Sequence, residues 1–350
     1  MNRAESAVSR GRKTTSRPSR SSALGRKTNL ALLITLTLAL ITGGASFLLG
    51  SSSTAWLVTL HGVLGFVVLV LARPKSPVVQ RGLSRRRPNR FASIALATVV
   101  TGALITGLIH TLDIWEPFGL WSPIGLHVIF AIGAVPLAML HVVTRPQRVR
   151  PIDLSRRTWL QALGVAGIAF GLRSVFDRWA AADRRFTGSH EVGSGQPREM
   201  PVVQWFTDSP PRIDPSDWVL RLRGSVHRDV DYQELAAHAT TKEATLDCTN
   251  GWYSTQDWTG VMLSDLLGPG ATGRSLEVRS ATGYTRRFPL GDVDKMMLAH
   301  QLGGEPLSRG HGAPARLVAP GRRGLWWVKW VIEIRTSDRP WWLQSPISFT

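Results

Sequence analysis

The most reactive side chain in the sequence is its only cysteine, Cys248. It lies in the run 244–252, Ala-Thr-Leu-Asp-Cys-Thr-Asn-Gly-Trp, where a β-prone segment ends in a polar turn that contains glycine. A single cysteine cannot form an internal disulfide, and it excludes zinc or iron–sulfur sites built from several cysteines. Most lone cysteines are small buried hydrophobic residues. A thiol at the end of a strand, beside a loop, is instead placed to reach a ligand, and we predict that role for Cys248.

The residues around Cys248 belong to a pattern that runs through most of 201–350. Its later parts are Trp258-Thr259-Gly260-Val261, Leu263–Leu267, Ser280–Tyr284, Gly303–Leu307, His311–Gly321 and Trp327–Trp330. In order and spacing, this pattern resembles the sulfite oxidase fold family, in which one cysteine thiolate binds molybdenum held by a molybdopterin. The periplasmic methionine-sulfoxide-reducing enzymes are among its members. The resemblance implies a molybdopterin-dependent oxidoreductase with Cys248 as its catalytic metal ligand, and a soft thiolate suits such a metal.

The resemblance also implies which residues contact the pterin. They are His311, Arg316, Trp327, Val328 and Lys329, with Ser280 and the segment Phe206, Thr207 and Asp208 as further contributors. A guanidinium fork and an ammonium group both suit the phosphate and ring oxygens of a pterin cofactor. The alternative is that the arginine and lysine are strand-face charges and that His311 is an ordinary turn histidine.

The residues after Cys248 differ from those of the family in ways that bear on the substrate. Sulfite oxidases have an arginine shortly after the cysteine, and the methionine-sulfoxide-reducing relatives have a glutamate two residues after it. This chain has Thr249 and Asn250 there, both neutral, and the region is rich in tryptophan. We therefore favour reduction of an S- or N-oxide, in a small molecule or in a protein, over oxidation of sulfite. Most of the tryptophans are expected in the core.

Four apolar runs precede this domain, and none contains Lys, Arg, Asp or Glu. They are Leu30–Leu49, Ala55–Ala72, Phe91–Leu112 and Ile124–Val143. Each has about the 20-residue length of a helix that crosses a bilayer. A purely soluble protein is therefore excluded, and membrane lipid is an expected partner. No internal repeat is evident.

The net charge of +18 is confined to three segments, 1–29, 73–90 and 144–158. The loops at the opposite ends of the apolar runs contain no Lys or Arg. Basic loops remain cytoplasmic, so the charge reports membrane topology, and we expect no nucleic acid as a partner.

A paired-arginine motif, Ser155-Arg156-Arg157-Thr158, precedes the uncharged run Trp159–Leu172. It resembles a twin-arginine export signal, although an arginine pair before an amphipathic helix is the alternative. We expect a fifth, anchoring helix. The protein would then be a multi-pass protein of the cell membrane, with its C-terminal domain on the extracytoplasmic side. Ala180-Ala181-Ala182 is a candidate cleavage site, but we favour a retained anchor.

Two histidines lie near the outer ends of the predicted helices, His61 on the second and His127 on the fourth. At about 1.5 Å per residue their depths are roughly 9 and 5 Å, close enough for two axial ligands. We therefore name them as candidate ligands of one b-type haem (heme b), which a quinone or another membrane electron carrier would serve. His141, near the cytoplasmic end, has no histidine at its depth. Without haem, the helices are an anchor or a docking platform.

The predicted organisation has five parts: a basic cytoplasmic tail (1–29), a four-helix transmembrane domain (30–143), a cytoplasmic segment with the twin-arginine motif and fifth helix (144–185), a linker (186–200) and a mixed α+β domain (201–350). In that domain Leu220–Arg223, Leu276–Arg279 and Val328–Ile334 are predicted strands, while Tyr232–His238, Leu263–Leu267 and Asp292–Ala299 are predicted helices.

Two functions are compatible with the sequence. We favour an extracytoplasmic molybdenum oxidoreductase that transfers oxygen atoms and exchanges electrons through its membrane domain. The alternative is a membrane b-type cytochrome or interaction protein whose C-terminal domain keeps the fold without molybdenum.

Overall fold

Five long helices form the N-terminal half of the protein. The computed structural model describes residues 20–84, 90–114, 121–144, 150–180, 184–204 and 208–346. The helices are α1 (Arg20–Leu48), α2 (Ala55–Ser84), α3 (Arg90–Leu112), α4 (Pro123–Thr144) and α5 (Arg156–Trp179). Each contains a segment of 22 to 25 residues that is long and apolar enough to cross a membrane. The four predicted apolar runs all lie in helices of this kind.

Helix α5 is longer than its uncharged run of 14 residues suggested. It continues to Trp179 and spans 24 residues. The continuation contains Arg173, which is buried and pairs with Asp177 one turn later. An (i, i+4) ion pair lets a charged turn remain helical, so the length was underestimated because charged residues were taken as its end. Ala181 and Ala182 of the candidate cleavage site lie outside the described residues.

The first four helices form two hairpins of the same local design, a repeat that the sequence analysis missed. The sequence Ala-Leu-Ile-Thr-Gly occurs at 39–43 in α1 and at 103–107 in α3, and Leu-His occurs at 60–61 and at 126–127. In each hairpin the glycine faces the histidine of the partner helix: a Cβ on Gly43 would lie 2.8 Å from His61, and one on Gly107 would lie 3.1 Å from His127. Both glycines thus make room for an imidazole ring.

The C-terminal domain is built on two β-sheets. The first contains β1 (His190–Glu191), β4 (Thr240–Asp247), β5 (Trp252–Met262), β8 (Met297–Leu302), β9 (Glu305–Pro306) and β10 (Arg316–Val318). The second has the order β3 (Arg228–Asp231), β2 (Val219–Arg223), β11 (Val331–Ser337), β6 (Ser275–Ser280) and β7 (Thr285–Pro289). Two short helices, α6 (Tyr232–Ala237) and α7 (Leu263–Leu267), cover the sheets. Most of the tryptophans in the region after Cys248 are in the core as expected: Trp252, Trp258, Trp326, Trp327 and Trp330 are buried, whereas Trp342 is exposed.

Two predicted elements of this domain are wrong. Asp292–Ala299 is not a helix: a 3-10 helix covers Leu290–Lys295, and the chain then enters β8. Met297 and Leu298 are both buried because β8 lies between β5 and β10, and burial on both faces outweighs their helix propensity. Residues 328–330 are not part of β11, because Trp330 has a positive φ of 51° and turns the chain just before the strand.

The segment 186–200, predicted to be a linker, packs into the domain. His190 and Glu191 form β1, which pairs in parallel with the start of β5. Thr187 and Ser189 donate hydrogen bonds to the Asp247 carboxylate, at 2.6 and 2.7 Å. These side-chain bonds order a sequence that has no apolar periodicity.

The tips of the two helical hairpins contact the loops on either side of Cys248. At the first tip, Trp326 donates its indole N–H to the carbonyl of Leu48 at 2.9 Å. At the second, Ser122 donates to the Asn250 side chain at 2.6 Å. A Cβ on Gly251 would lie 2.5 Å from the His110 ring. The five long helices and the C-terminal domain are therefore docked through the loops next to the cysteine.

The opposite end of the helices carries a separate ion pair. Arg26, in α1, forms two hydrogen bonds with Asp153, just before α5, at 3.1 and 3.0 Å. The basic start of α1 and the start of α5 thus lie together, at the end of the bundle away from the C-terminal domain.

We predict that Gly251→Ala weakens this docking. Gly251 has a φ of +88°, so alanine is strained there by about 1 kcal/mol, and its methyl group would also displace His110. Gly304→Ala is the matched control, because Gly304 has a φ of +80° but has no atom within 4 Å of the added Cβ. Thermal unfolding of the detergent-solubilised chain should show a larger loss for Gly251→Ala, by about 1–3 kcal/mol. Equal losses would mean that the contact with His110 contributes nothing.

Candidate functional site

Cys248 follows directly after β4, at the position that the sequence predicted. The turn that follows is closed by two backbone bonds, from Cys248 N to Trp252 O at 2.8 Å and from Gly251 N to Cys248 O at 3.2 Å. The backbone N–H of Asn250 points at the sulfur, 3.4 Å away. Burial raises the pKa of the thiol, while this N–H and the cations Arg323 and Lys329 oppose the shift. A bound cation would favour the thiolate.

A cavity opens in front of Cys248 and gathers most of the predicted pterin-binding residues. Its lining includes the predicted residues Asp208, Ser280, His311, Arg316, Trp327, Val328 and Lys329. Phe206 and Thr207 lie outside the described residues. The remaining polar lining includes Gln204, Thr249 and Tyr284. The structure thus brings Cys248 together with every predicted contact residue that it describes.

Arg316 is the most deeply buried cation of the cavity, with 1% of its surface exposed. Its guanidinium lies over the rings of Trp258 and Trp327, with its carbon 5.0 and 5.6 Å from the ring centres. One nitrogen donates to the His311 carbonyl at 3.0 Å, whereas Nε has no hydrogen-bond partner within the described chain. Burial lowers the pKa of Arg316 to about 9, against the opposing effect of Cys248.

Lys329 lies beside Arg316 at the turn before β11. Its ammonium donates to the carbonyls of Gly310 at 2.6 Å and Val203 at 2.9 Å, and to the Gln204 side chain at 3.2 Å. Burial, followed by the charge of Arg316, lowers the pKa of Lys329 to about 7. Among the described residues, no carboxylate forms an ion pair with either cation, so the two charges favour an anionic ligand.

His311 is held by bonds to both of its ring nitrogens. Nδ1 lies 2.9 Å from the Ser308 hydroxyl and Nε2 lies 3.2 Å from the Met200 carbonyl. Burial, and then the charge of Arg316, lower the pKa of His311 to about 4, so the ring is neutral at pH 7. The next residue must be glycine: Gly312 has a φ of +112°, and a Cβ there would lie 3.0 Å from Arg316 and 3.1 Å from Lys329.

Further polar atoms in the cavity have no partner in the described chain. They are Asp208 Oδ1 and Trp252 Nε1, in addition to Arg316 Nε. Buried polar atoms normally find a partner because leaving one unsatisfied costs about 1–3 kcal/mol. The thiol is therefore surrounded by two cations without a carboxylate partner and by two donors and one acceptor without a hydrogen-bond partner in the described chain. Such a set fits a ligand that carries both a phosphate and a hydrogen-bonding ring edge. The residues present therefore fit a pterin cofactor.

Arg323 is a positioning residue that the sequence analysis missed. It is buried, and it donates to the Asp247 carboxylate at 2.5 Å and to the carbonyl of Cys248 at 3.0 Å. Asp247 also accepts from Thr187 and Ser189 and lies 3.3 Å from Arg185. The pair fixes the end of β4 against the loop 321–327. The available signal was weak: an Arg-Arg pair directly after the His311–Gly321 block.

Asn250 does not line the cavity, although it stands where the methionine-sulfoxide-reducing relatives carry glutamate. Its side chain accepts from Ser122 of the second hairpin tip, while Thr249 takes part in the cavity lining. Asn250, two residues after Cys248, therefore serves the contact with the helices.

Two histidines of the helical domain, His61 and His127, lie edge to face, away from this cavity. The ring centres of His61 and His127 are 5.7 Å apart, with planes at 88°. The Nδ1 atoms lie 2.9 Å from the Ala39 carbonyl and 2.8 Å from the Ala103 carbonyl, respectively. A carbonyl only accepts, so both Nδ1 atoms carry the proton, and neither Nε2 atom has a hydrogen-bond partner among the residues that the structure describes. Elsewhere, the described residues contain no group of three or more His, Cys, Asp or Glu able to hold a metal ion.

Comparison with known proteins agrees with the geometry of the cavity. Residues 207–343 match the oxidoreductase molybdopterin-binding domain. The chain is 27% identical over 160 residues to a nitrate reductase [NADPH] of Fusarium oxysporum, covering 35% of this chain and 18% of that protein. It is 33% identical over 101 residues to mitochondrial sulfite oxidase of Rattus norvegicus, covering 25% and 18%.

A bacterial relative is matched over a larger share of its length. The chain is 31% identical over 148 residues to the protein-methionine-sulfoxide reductase catalytic subunit MsrP of Xanthomonas campestris, covering 35% of this chain and 46% of that protein. The chain spans less than half the length of each of these three relatives. The matched residues 207–343 contain Cys248 and most of the residues that line the cavity in front of it. Residues 207–343 therefore form a molybdopterin-binding oxidoreductase domain of the sulfite oxidase type.

Proposed function

We propose that this protein is a membrane-anchored, extracytoplasmic molybdenum oxidoreductase that reduces an S- or N-oxide with electrons received through its helical domain. One observation carries the proposal: Cys248 opens into the same cavity as the buried Arg316 and the partly buried Lys329, and neither cation has a carboxylate partner in the described chain. The cofactor, when bound, would supply two-electron oxygen-atom transfer. The chain supplies the metal ligand Cys248, and Arg316 and Lys329 provide the positive charge that holds the pterin.

The charge of the cavity supports an uncharged substrate. Arg316 and Lys329 are assigned to the pterin, and His311 is neutral at pH 7. Thr249 and Ser280 add no charge, and Asp208 is an acid. No further cation is therefore available in the described lining to compensate a sulfite dianion, whereas a neutral oxide needs none. MsrP, whose name describes reduction of methionine sulfoxide in proteins, favours the same chemistry.

The arrangement of the helix ends supports an extracytoplasmic location. The end of α1, the start of α2, the end of α3 and the start of α4 all lie towards the C-terminal domain, and α5 leads into it. The basic segments lie at the other end, where Arg26 pairs with Asp153. Because basic segments stay in the cytoplasm, five crossings leave the C-terminal domain on the outer side. The paired arginines at the start of α5 suit export of a folded, cofactor-loaded domain.

The facing histidines support a b-type haem in the helical domain. The ring centres of His61 and His127 lie 5.7 Å apart, so the two imidazoles would together hold one haem, each through its Nε2 nitrogen. Ligating histidines commonly donate their other N–H to a backbone carbonyl, as both do here. The duplicated hairpin design supplies the two ligands symmetrically.

Contacts between the histidine pair and Cys248 support electron exchange within the chain. Gly107 contacts His127, and His110 lies one turn further along α3. The His110 ring packs on Gly251, and the neighbouring Asn250 N–H points at the sulfur of Cys248. His61 and His127 would hold the haem and Cys248 the molybdenum, and this short series of contacts would join the two sites so that a quinone or another membrane carrier could serve as the electron donor.

The first prediction concerns the metal ligand. Cys248→Ala should lose both molybdenum and turnover, because no other cysteine can replace the thiolate, but it should keep the haem absorption. The assay follows oxidation of reduced viologen by methionine sulfoxide or trimethylamine N-oxide, with elemental analysis for molybdenum. Wild-type protein with haem but no molybdenum would select the non-enzymatic cytochrome instead. Turnover of sulfite with ferricyanide, but of no oxide, would reverse the assigned direction.

The second prediction concerns the Arg323–Asp247 pair. Arg323→Met leaves the buried Asp247 carboxylate short of its main cation, which should cost about 3 kcal/mol of stability and reduce molybdenum occupancy. Arg335→Met is the control, because the arginine of its pair with Glu333 is half-exposed. Loss of such a pair should lower the free energy of unfolding by at most about 1 kcal/mol. Denaturant unfolding and metal content measure both effects. Equal behaviour of the two variants would remove the positioning role of Arg323.

The third prediction concerns the haem. His61→Ala and His127→Ala should each abolish the six-coordinate haem spectrum, because each removes one axial ligand. His141→Ala, on α4 but at the cytoplasmic end, should leave the spectrum unchanged. Viologen-driven turnover should persist in all three variants, since that donor reaches the molybdenum centre directly, whereas quinol-driven turnover should be lost in the first two. Retention of the spectrum in His61→Ala would exclude this ligand pair.

A further inference from the structure

Helix α5 places a buried arginine beside the histidine pair. Arg173 is 8% exposed, although it lies in a helix otherwise apolar enough to cross a membrane. It lies six residues before the end of α5, and His61 lies six residues after the start of α2. Those two helix ends are on the same side of the bundle, so the arginine and the histidine lie at the same depth.

The neighbouring glycine makes room for the arginine. A Cβ on Gly62, the residue after His61, would lie 2.5 Å from Arg173 Nε and 2.9 Å from Cδ. Gly62 lies in the middle of a regular helix, where glycine lowers helix stability. Glycine is needed at this position because a larger residue would collide with Arg173. The guanidinium therefore packs directly against α2, next to His61.

The charges around Arg173 are not balanced. Its Nη1 pairs with Asp177, but its buried Nε has no partner among the described residues. A second cation, Arg184, lies 3.6 Å from the same carboxylate, so two guanidinium groups share one acid that is 43% exposed. Burial, and then the charge of Arg173, lower the pKa of Arg184 to about 10. A buried excess of positive charge with a free N–H favours an anion that is not yet present.

We propose that Arg173, assisted by Arg184, binds a propionate of the haem held by His61 and His127. The inference rests on that proposed haem. A carboxylate is the group that a guanidinium fork binds best, and the propionates are the anionic edge of an otherwise apolar haem. Helix α5 is then part of the cofactor site as well as an anchor, and the propionate edge of the haem faces the C-terminal domain. Arg173 acts on the cofactor without touching its iron.

The test compares Arg173→Met with Arg178→Met in the full chain in nanodiscs. Arg178 is an exposed arginine on the same helix and serves as the matched control. Arg173→Met should keep the bis-histidine spectrum, lose haem to a scavenging globin at least about tenfold faster, the effect of losing one charge-assisted hydrogen bond, and have a lower haem midpoint potential. The potential falls because a nearby cation favours the less positive ferrous state. Arg173→Lys should restore part of the potential.

Haem with esterified propionates separates this role from a structural one. Reconstituted wild type and Arg178→Met should bind the dimethyl ester more weakly than haem by a similar factor, whereas Arg173→Met should bind both alike. Equal discrimination in all three proteins, with equal haem loss and potential, would overturn the inference and leave the haem in place. Wild-type protein that binds no haem overturns the proposed haem itself. Asp177→Asn should retain the discrimination, which separates propionate binding from the helix ion pair.

Discussion

The buried pair of Arg323 and Asp247 is the interaction on which the rest of the protein depends. Asp247 ends β4 immediately before the cysteine, and Arg323 bonds both to this carboxylate and to the cysteine carbonyl. Thr187 and Ser189 complete the shell around the acid. Removing charges from water is costly unless every lone pair is satisfied, and here nearly every one is. The pair therefore fixes the sulfur while leaving the neighbouring cavity to a ligand.

The two cations of that cavity, unlike Arg323, form no ion pair with a carboxylate in the described chain to balance their charge. Arg316 and Lys329 have backbone and amide acceptors but no carboxylate partner in the described chain. Their lowered pKa values express the cost of holding charge in a dry environment without a counter-ion. A fold tolerates such a cost where a ligand compensates it, which is why perturbed groups cluster at functional sites. The same reasoning applies to Arg173 in the helical domain, for which we propose a haem propionate as the anion.

Sequence patterns were sufficient for features that depend on local chemistry. Apolar runs without charge identify the first four helices, and the block around Cys248 identifies the cavity. They failed where distant contacts decide the outcome. Burial between two strands makes Met297–Leu302 a strand, and an ion pair extends α5 through Arg173. The local signal for Arg323 is weak because its partners lie some 75 residues and more away along the chain. The duplicated Ala-Leu-Ile-Thr-Gly sequence is visible in the chain, but its role becomes clear only from the structure, where each glycine makes room for a histidine of the partner helix.

Trp326 and Trp327 are consecutive residues with different tasks. The indole of Trp326 bonds to the carbonyl at the end of α1, whereas Trp327 lines the cavity and lies over Arg316. Helices adjust to a thinner or thicker bilayer by changing their tilt. A displacement of the α1 end would reach the cavity wall through the peptide bond between Trp326 and Trp327. A change in bilayer thickness would therefore be transmitted to the cavity through this contact, a route that the same domain without attached helices would lack.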